Sequence, residues 1–512
     1  MMTRCFELLA CGAFLLCTSR GLSAQIGGEI TGDSPRMAGL AGAGLAGGED
    51  LAEAAHNPAM LGFSLPEVGG WAIDASLRGV ANPIIGTDRS GRRFSAADFT
   101  AVAPFLAVGM RASRSWAWSL QILPTAGGSS RFDRLTQLDI AADETSPGSG
   151  TFLPRERWIE VQSEVVQLAI EPSLAWTPAP GLSFGFGASF RNTDLSLASA
   201  TEFDLDRLQG EPPPPLNGLA DTWGEFLKTL GALGGRDLQQ FQVEYDTDAE
   251  ADLMRFLKLG FAFEDDRGRR FGLWFRPPSS SVDINGRAEI DLEADLGDVI
   301  RATFGADAST QSSYDLRIAD IRFPAQFGFA YLHPIQLRDR LHFQAIYTKW
   351  SQTFNGWTAE LSNGSNEDFN AMLGGNGDTT IELDNHWDDS ISISVGWEHD
   401  WIWAPAPWAR RQLAEHGRLV EGWDVTSRLG LGWSSDPVGG AVVPGLLPSN
   451  HWHLGSGLSL RHGPGGGSWH LGAVIAMPQN VRTSENSVLS DFSYDTYRQT
   501  NYALVLGYSL RW

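Results

Sequence analysis

The mature part of this chain lacks cysteine. All three cysteines lie between Cys5 and Cys17, inside an N-terminal stretch with the features of a secretory signal. That stretch has a basic Arg4, a short apolar core and a small-residue cleavage site ending at Ala24. We therefore expect residues 1–24 to be removed on export. Without them, disulfides, thiolate catalysis and zinc–thiolate sites are excluded.

Lysine and positive charge are also scarce. Lys228, Lys258 and Lys349 are the only lysines, and 38 basic residues face 61 acidic ones, for a net charge of −23. This balance argues against a nucleic-acid partner, because neutralising phosphates needs a basic face. After the signal there is no apolar run of roughly 18 residues, the minimum for a membrane-spanning helix. The mean hydropathy of −0.16 is likewise too polar for a helical membrane protein.

What the sequence does contain is alternation with a period of two. One face of the segment from residue 501 to the end is apolar, and its members are Tyr502, Leu504, Leu506, Tyr508, Leu510 and Trp512. The opposite face is small or polar and cannot pack a dense core. The segment is also longer than a typical strand of a soluble sheet. Lipid outside and a polar lumen inside are typical of a transmembrane β-barrel.

The same pattern recurs about fourteen times, with short and long connections in alternation, as in outer-membrane barrels. The segments lie near 69–80, 99–111, 115–124, 161–177, 181–192, 254–265, 270–292, 310–333, 340–352, 380–400, 423–434, 451–462, 468–477 and 501–512. We predict an all-β fold, a transmembrane antiparallel β-barrel of about 14 strands.

Residues 25–66 are rich in Gly and Ala and do not alternate. The lumen of so wide a barrel is too large for side chains to fill, so we expect this segment, the hatch, to plug it. The predicted organisation is a signal peptide (1–24), the hatch (25–66) and the barrel (67–512). A GxGxxG match at residues 42–47 has no strand before it, so close packing of glycines explains it better than a dinucleotide site.

Two connections stand out. Residues 400–423 should form a short turn but include several Trp, Pro and Arg residues, which favours an interfacial amphipathic excursion over an inserted functional element. In the third long loop, apolar residues between Leu216 and Leu233 recur at helical spacing. Such a helix would either pack on the barrel rim or offer an apolar surface that captures ligands.

Several motifs follow one another along the chain. They are the run from Ser34 to Gly44, the triplet Asn57-Pro58-Ala59, and then Arg270–Arg276, Phe323-Pro324-Ala325, Tyr347–Ser351, Ser434–Pro437 and Leu447–Trp452. In this order they resemble the FadL/TodX family of outer-membrane transporters of hydrophobic compounds, and the first two resemble the family's hatch. Departures occur at Ser449-Asn450-His451 and in the third loop.

The resemblance implies a fourteen-stranded barrel with a hatch, a lateral opening near the third strand, and passive uptake of long-chain fatty acids or aromatic hydrocarbons. A shift at Asn57, Pro58 and Ala59 would open the path. Pro124, with Gly127 and Gly128, would form the bend of a lateral opening, because proline removes a ladder hydrogen bond. Its other interpretation is simply the end of the strand.

Alternation also predicts that Arg428 and Arg461 face the lumen. They would either pair with a ligand carboxylate or form ion pairs with luminal acids.

The expected partners are a hydrophobic small molecule, outer-membrane lipid and lipopolysaccharide, and the barrel-assembly machinery, which would recognise the strand ending at Trp512. The expected location is the outer membrane of a Gram-negative-type bacterium.

An enzyme and a general porin are the competing functions, and we expect neither, nor any cofactor or metal. The GxSxG match at residues 181–185 lies where a strand continues, whereas a nucleophile elbow needs a strand-to-helix turn. His451 and His453 share a strand face, but no third metal ligand is evident. A plugged lumen argues against a porin.

Overall fold

Twenty strand segments close into one antiparallel barrel wall in this computed structural model. It describes residues 34–65, 67–81, 83–87, 91–95, 100–137, 156–233, 239–336, 338–354, 356–374, 377–383, 387–403, 423–437, 452–462, 467–482 and 496–512. The strands are β1 (Trp71–Ala81), β2 (Ile84–Thr87), β3 (Arg93–Ser95), β4 (Thr100–Arg111), β5 (Trp116–Gln137), β6 (Glu156–Ala179), β7 (Leu182–Asp204), β8 (Gln240–Glu264), β9 (Arg270–Arg276), β10 (Val282–Asp291), β11 (Gln311–Ile321), β12 (Gln326–Gln336), β13 (Asp339–Thr348), β14 (Trp357–Ser362), β15 (Thr379–Leu383), β16 (Ser390–Trp403), β17 (Trp423–Ser434), β18 (Trp452–His462), β19 (Ser468–Arg482) and β20 (Thr496–Arg511).

Five α-helices lie among the described residues: α1 (Pro35–Gly39), α2 (Leu61–Ser64), α3 (Trp223–Leu233), α4 (Glu293–Phe304) and α5 (Glu367–Leu373). Every helix among the described residues is too short or too polar to cross a bilayer. The helix expected in the third loop is confirmed as α3.

The described strands occupy 14 wall positions, which confirms the predicted fold class. β1 pairs with both β4 and β20, which closes the sheet. Four neighbouring positions are each made of two segments, namely β9 with β10, β12 with β11, β13 with β14 and β16 with β15. The connection at residues 404–422 lies outside the described residues.

The alternation along β6 shows which face meets lipid. Ile170 and Leu174 point outward and are 49% and 41% exposed, whereas Glu171 between them is 1% exposed. A soluble protein would bury the apolar face instead. Strands with large apolar side chains outside and polar ones inside have the transmembrane β-barrel pattern.

The two ends of the barrel differ. At the short-turn end, β6 and β7 are joined through Gly181 and β8 and β9 through residues 265–269. At the opposite end, β5 to β8 run for 22 to 25 residues each, well beyond the segments the sequence predicted. We refer to this second end as the long-connection end.

A strand break crosses four wall positions at one height. It consists of residues 277–281, 322–325, 349–354 and 387–389. Backbone bonds bridge it, from Ser279 N to Phe323 O (3.0 Å) and from Lys349 N to Ala325 O (2.9 Å). Aromatic rings pack there, with Phe354 centred 4.7 Å from both Trp357 and Trp387. The strands of the wall are therefore interrupted at a place where the sequence predicted continuous strands.

Beyond the break lies an outer lobe made of β10, β11, β14, β15, the adjoining ends of β7 and β8, and helices α3 to α5. Its core contains Trp223 and Phe226 of α3, Leu296 of α4 and Phe369 of α5, packed on the sheet residue Phe241. This lobe carries the long connections above the membrane part of the wall.

Candidate functional site

The hatch lies inside the barrel, and nearly all of residues 34–64 are buried. Glycines of the wall make the close approach possible. A Cβ atom at Gly430 would overlap the backbone of Leu40, and one at Gly472 would overlap Pro35. The side of the lumen formed by β17 to β19 therefore holds α1 backbone against backbone.

The predicted gating triplet lies against the opposite wall. Asn57 caps a short turn by accepting a bond from Ala59 N (3.1 Å), and its Nδ2 donates to Phe261 O of β8 (3.2 Å). Gly185 of β7 and Gly260 of β8 have no room for a Cβ atom beside Ala59 and Asn57. Asn57, Pro58 and Ala59 thus contact the lumen wall directly, and their gating role stays a prediction.

Buried charges fasten the hatch, in an arrangement we call the hatch clamp. Arg36 of the hatch donates to Glu53 (2.7 Å) and pairs with Glu398 of β16 (3.2 Å). Arg340 (2.8 Å) and Arg428 pair with the same Glu398. One wall carboxylate therefore serves three guanidinium groups, of which only one belongs to the hatch.

The two arginines that alternation predicted to face the lumen have different surroundings, and only Arg428 belongs to the clamp. Arg428 pairs with Glu398 and also donates to Ser459. Arg461 lies at the short-turn end of β18, with its Nε 3.4 Å from Ser468 Oγ. Both line a cavity of about 70 Å³ beside the hatch. Their role as partners of a ligand carboxylate stays a prediction.

A second contact with the wall is acidic. Asp50 accepts a bond from Ala52 N (2.9 Å), while Leu51 N donates to Asp74 of β1 (2.7 Å). Arg511 of β20 balances Asp74 (2.9 Å). Burial, and then the neighbouring Asp74 carboxylate, raise the pKa of Asp50 to about 7. This hatch contact therefore changes charge near neutral pH.

Just above the gating triplet, toward the long-connection end, lies a buried charged cluster that we call the lumen layer. Lys258 of β8 pairs with Glu171 of β6 (2.6 Å) and also donates to Ala55 O of the hatch. Arg191 of β7 approaches Glu171 to 3.8 Å. All three side chains come from the wall, and Lys258 ties them to the hatch backbone.

The lumen layer also combines cations with an aromatic ring. The Arg191 guanidinium carbon lies 4.0 Å from the ring centre of Phe256, and that of Arg276 lies 5.1 Å away. Phe256 is itself in contact with Phe323 of the strand break, at a ring distance of 6.2 Å. The layer thus joins an apolar ring to three cations and one carboxylate, Glu171. Such a setting suits the head of an amphiphilic anion.

The wall opens beside this layer. The ladder between β4 and β5 ends at the pair Leu106 and Ile122. Both strands continue beyond this pair, but no further pairing joins them in the described part of the chain. The register of β5 against β6 shifts between Pro124 and Ala126, so Thr125 forms a bulge. Gly127 and Gly128 follow within the same strand.

A hydrogen-bonded chain connects this gap to the hatch. Thr125 donates to Gln167 (2.7 Å), which also accepts from Arg191 (3.1 Å). Arg191 and Lys258 then share Glu171, and Lys258 reaches the hatch carbonyl. A change at the lumen layer would therefore be felt both at the gap and at the hatch.

Three solved structures share this architecture. The toluene transporter TodX of Pseudomonas putida superposes with a TM-score of 0.63 at 12% identity, covering 95% of this chain and 99% of TodX. A FadL homologue of Pseudomonas aeruginosa gives 0.60 at 13%, covering 96% and 99%. The monoaromatic hydrocarbon channel CymD gives 0.55 at 14%, covering 93% and 97%.

The chain has the FadL/TodX fold. No protein-family model and no curated protein matches its sequence. The structural likeness, which spans nearly the whole chain, supports the fold that the ordered motifs suggested.

In this FadL/TodX-type barrel the residues considered for catalysis are placed differently from an enzyme site. Ser183 lies within β7 and is buried, not at a strand-to-helix turn. His453 contacts the hatch carbonyl of Ala41 at 3.0 Å, and His451 lies outside the described residues. Among the described residues no three acidic, His or Cys side chains cluster as a metal site would need.

The lumen layer was missed by sequence reasoning although a signal for it existed. Alternation along β8 places Lys258 on the inner face with Gly260, and along β7 it places Arg191 there with Ser189. The chain has only three lysines, so a lysine on the inner face is a signal for a charged site in the lumen. Its partner Glu171 comes from another strand, and a single sequence does not reveal that pairing.

Proposed function

We propose that this protein is an outer-membrane transport protein for the passive uptake of hydrophobic molecules, with long-chain fatty acids as its substrates. The observation that supports this substrate class best is the lumen layer. Its three cations, Arg191, Lys258 and Arg276, lie around Phe256 directly above the hatch. A carboxylate at the end of an alkyl chain matches cations beside an aromatic ring.

Capture would begin at the outer lobe. Leu219, which precedes α3, is 64% exposed, and Leu233, the last residue of α3, is 81% exposed. Each CH₂ group gains roughly 0.8 kcal/mol on leaving water, so an alkyl chain is drawn to such a surface. From there the alkyl chain of the ligand would pass the aromatic rings of the strand break, which lie next to Phe256.

Release would follow from competition for Lys258. A ligand carboxylate at the lumen layer offers Lys258 an alternative to Glu171 and to the hatch carbonyl of Ala55. Loss of that tie loosens the turn at Asn57, Pro58 and Ala59. The ligand would then leave sideways through the gap between β4 and β5, at the bulge that follows Pro124.

A ligand that does not leave sideways would move along the hatch toward the short-turn end. Its carboxylate would meet Arg428 and Arg461 there, beside the hatch clamp. In this proposal these two arginines are therefore a later contact of the ligand.

Aromatic hydrocarbons are the second candidate substrate. The aromatic rings of the strand break, Phe323, Trp350, Phe354, Trp357 and Trp387, favour a ligand with a π-face. Such a ligand has no use for the cations of the lumen layer, and this is the property that separates the two candidates.

We further propose that residues 1–24 direct export and that the assembly machinery recognises β20. That strand closes the barrel, with Trp71 N donating to Trp512 O at 2.9 Å. Neither step depends on the substrate.

The test compares two substrates in cells. A deletion strain carries the wild-type gene, the Lys258→Gln variant or the control Lys228→Gln, which changes a lysine of the outer lobe paired with Asp206. Labelled oleate and labelled toluene are supplied, and uptake is measured. Loss of one charged hydrogen bond should reduce oleate uptake about ten-fold in Lys258→Gln. Toluene uptake should not fall, because toluene has no carboxylate to pair with Lys258 and the loss of the tie to Ala55 O only loosens the hatch.

The outcomes separate the candidates. If deletion leaves oleate uptake intact but abolishes toluene uptake, the second candidate is correct. If deletion changes neither, the transport proposal is wrong. Equal amounts of folded barrel, judged by the mobility shift of unheated samples on gels, are required in all strains.

A further inference from the structure

A row of cations faces outward at the strand break. Arg255 of β8 points away from the lumen, because Met254 and Phe256 on either side of it are buried. Arg322 follows the buried Ile321 and is exposed. Lys349 lies between the buried Thr348 and Trp350 and is half-buried.

Backbone bonds fix these three cations at one height. Ser280 N donates to Arg255 O (2.8 Å), and its neighbour Ser279 donates to Phe323 O, next to Arg322. Lys349 N donates to Ala325 O (2.9 Å). Adjacent strands are about 4.8 Å apart, so the row crosses the wall over a distance of about 15 Å.

The charge of this row is hardly compensated. None of the three side chains forms an ion pair with a residue that the structure describes. The nearby Asp389 attracts Lys349 through space but forms its hydrogen bonds with Tyr347 and with Ser351 Oγ (2.7 Å). By contrast, Arg317 of the outer lobe pairs with Asp283 at 2.9 Å. A cationic row without ion pairs to the described residues is unexpected in a chain of net charge −23.

An apolar groove adjoins the row on its short-turn side. It is open, has a volume of about 620 Å³, and is lined by Leu259, Leu273, Phe275, Phe327 and Tyr347. Phe275 and Phe327 stack at 4.6 Å. These side chains belong to the outward face of the wall, so lipid chains can reach the groove.

We propose that this face is a binding site for a phosphorylated, acylated glycolipid of the outer leaflet, with its phosphates on Arg255, Arg322 and Lys349 and an acyl chain in the groove below. Arginine and lysine are the usual partners of phosphate groups in proteins. A row of about 15 Å suits a headgroup with more than one phosphate. The site rests on the proposed membrane placement but is independent of the transported substrate, because it lies outside the lumen.

The experiment uses purified full-length protein in detergent and measures binding by native mass spectrometry. The probes are lipid A, its phosphate-free form and phosphatidylglycerol. The test variant combines Arg255→Gln, Arg322→Gln and Lys349→Gln. A matched control combines Arg114→Gln, Arg267→Gln and Arg338→Gln, three exposed arginines at the short-turn end.

Wild type and control should bind lipid A alike, and the test variant should bind it about ten-fold or more weakly, because each cation adds attraction to an anionic lipid. The phosphate-free form should bind wild type as weakly as lipid A binds the test variant. Equal binding of lipid A by test variant and wild type would overturn the site. Tighter binding of phosphatidylglycerol than of lipid A would overturn the assignment to a glycolipid. Oleate uptake by the test variant reports separately on transport and should be unchanged.

Discussion

Buried charges at single positions locate the hatch in the lumen. Glu398 serves Arg36, Arg340 and Arg428, and Lys258 binds Ala55 O. Removing water from such groups is costly, and each charge must be matched by a partner in fixed geometry. The hatch is therefore held in one register by buried polar contacts, and a competing charge can replace single ones among them, such as the bond from Lys258 to Ala55 O.

The Asp50 contact predicts a pH dependence. The folded protein binds a proton on Asp50 up to about pH 7, whereas the unfolded chain releases it near its ordinary value of 3.8. Between these values the folded state holds more protons, so stability falls as pH rises and stays lower above about pH 7. The Asp50→Asn variant retains the cap and removes the charge, so it should melt higher than wild type, by a larger margin at about pH 8 than at about pH 5.

The control for this prediction is Asp265→Asn at a short turn. A hydrogen bond from Arg269 lowers the pKa of Asp265, so this group does not titrate between the two conditions. Thermal unfolding of purified protein at both pH values is the measurement. If the melting temperature of Asp50→Asn changes between the two pH values as much as that of wild type, another group causes the pH dependence.

At the scale of the elements, a glycine-to-alanine substitution, which adds one methyl group, can test the contact between α1 and strands β17 to β19. Gly430→Ala places a Cβ atom in the backbone of Leu40, whereas Gly79→Ala meets nothing nearer than Leu504 O at 3.9 Å. Overpacking typically costs about 1–3 kcal/mol, which should displace the hatch. Planar-bilayer recordings should show openings for Gly430→Ala and none for Gly79→Ala. Silent recordings for both would place the permeability barrier elsewhere.

The bulge in β5 predicts the exit route. In the ladder between β5 and β6, Pro124 pairs with Leu168 and Ala126 with Gln167, and Thr125 is the extra residue. Deleting Thr125 therefore makes this ladder regular, and the side chains of β5 after the bulge keep the faces that they have now. The variant should fold but lose most substrate uptake, because the bend beside the gap is removed. Uptake at the wild-type rate with normal barrel assembly would rule out lateral exit at this point.

The sequence predicted the strand positions well because lipid imposes alternation on every transmembrane residue. Beyond the membrane this constraint disappears, and the continuation of β5 past Gly127 to Gln137 alternates too weakly to be recognised. The strand break had a signal in Pro277-Pro278, which cannot donate ladder bonds. The lumen layer depends on pairs such as Lys258 with Glu171 from different strands, which local patterns do not encode.

For the whole molecule, the plug decides between a transporter and a porin. The intact chain should be silent in planar bilayers, because its hatch lies against β7, β8 and β17 to β19. A variant lacking residues 34–64 should form large steady channels, since a barrel of this width is open when empty. Gel mobility of unheated samples checks that it folds. Large steady conductance of the intact chain would favour the porin alternative.

The long strands beyond the break determine how far the protein stands above the membrane. β8 has 25 residues, which at about 3.4 Å each and a tilt of about 40° give a height on the order of 65 Å. The apolar band of an outer membrane takes up about 25 Å of it. The outer lobe therefore extends tens of ångströms beyond the apolar band of the membrane. In a bacterial surface covered with sugar, a sparingly soluble molecule would meet the protein before it had crossed that layer, so the slowest part of its journey would be shortened.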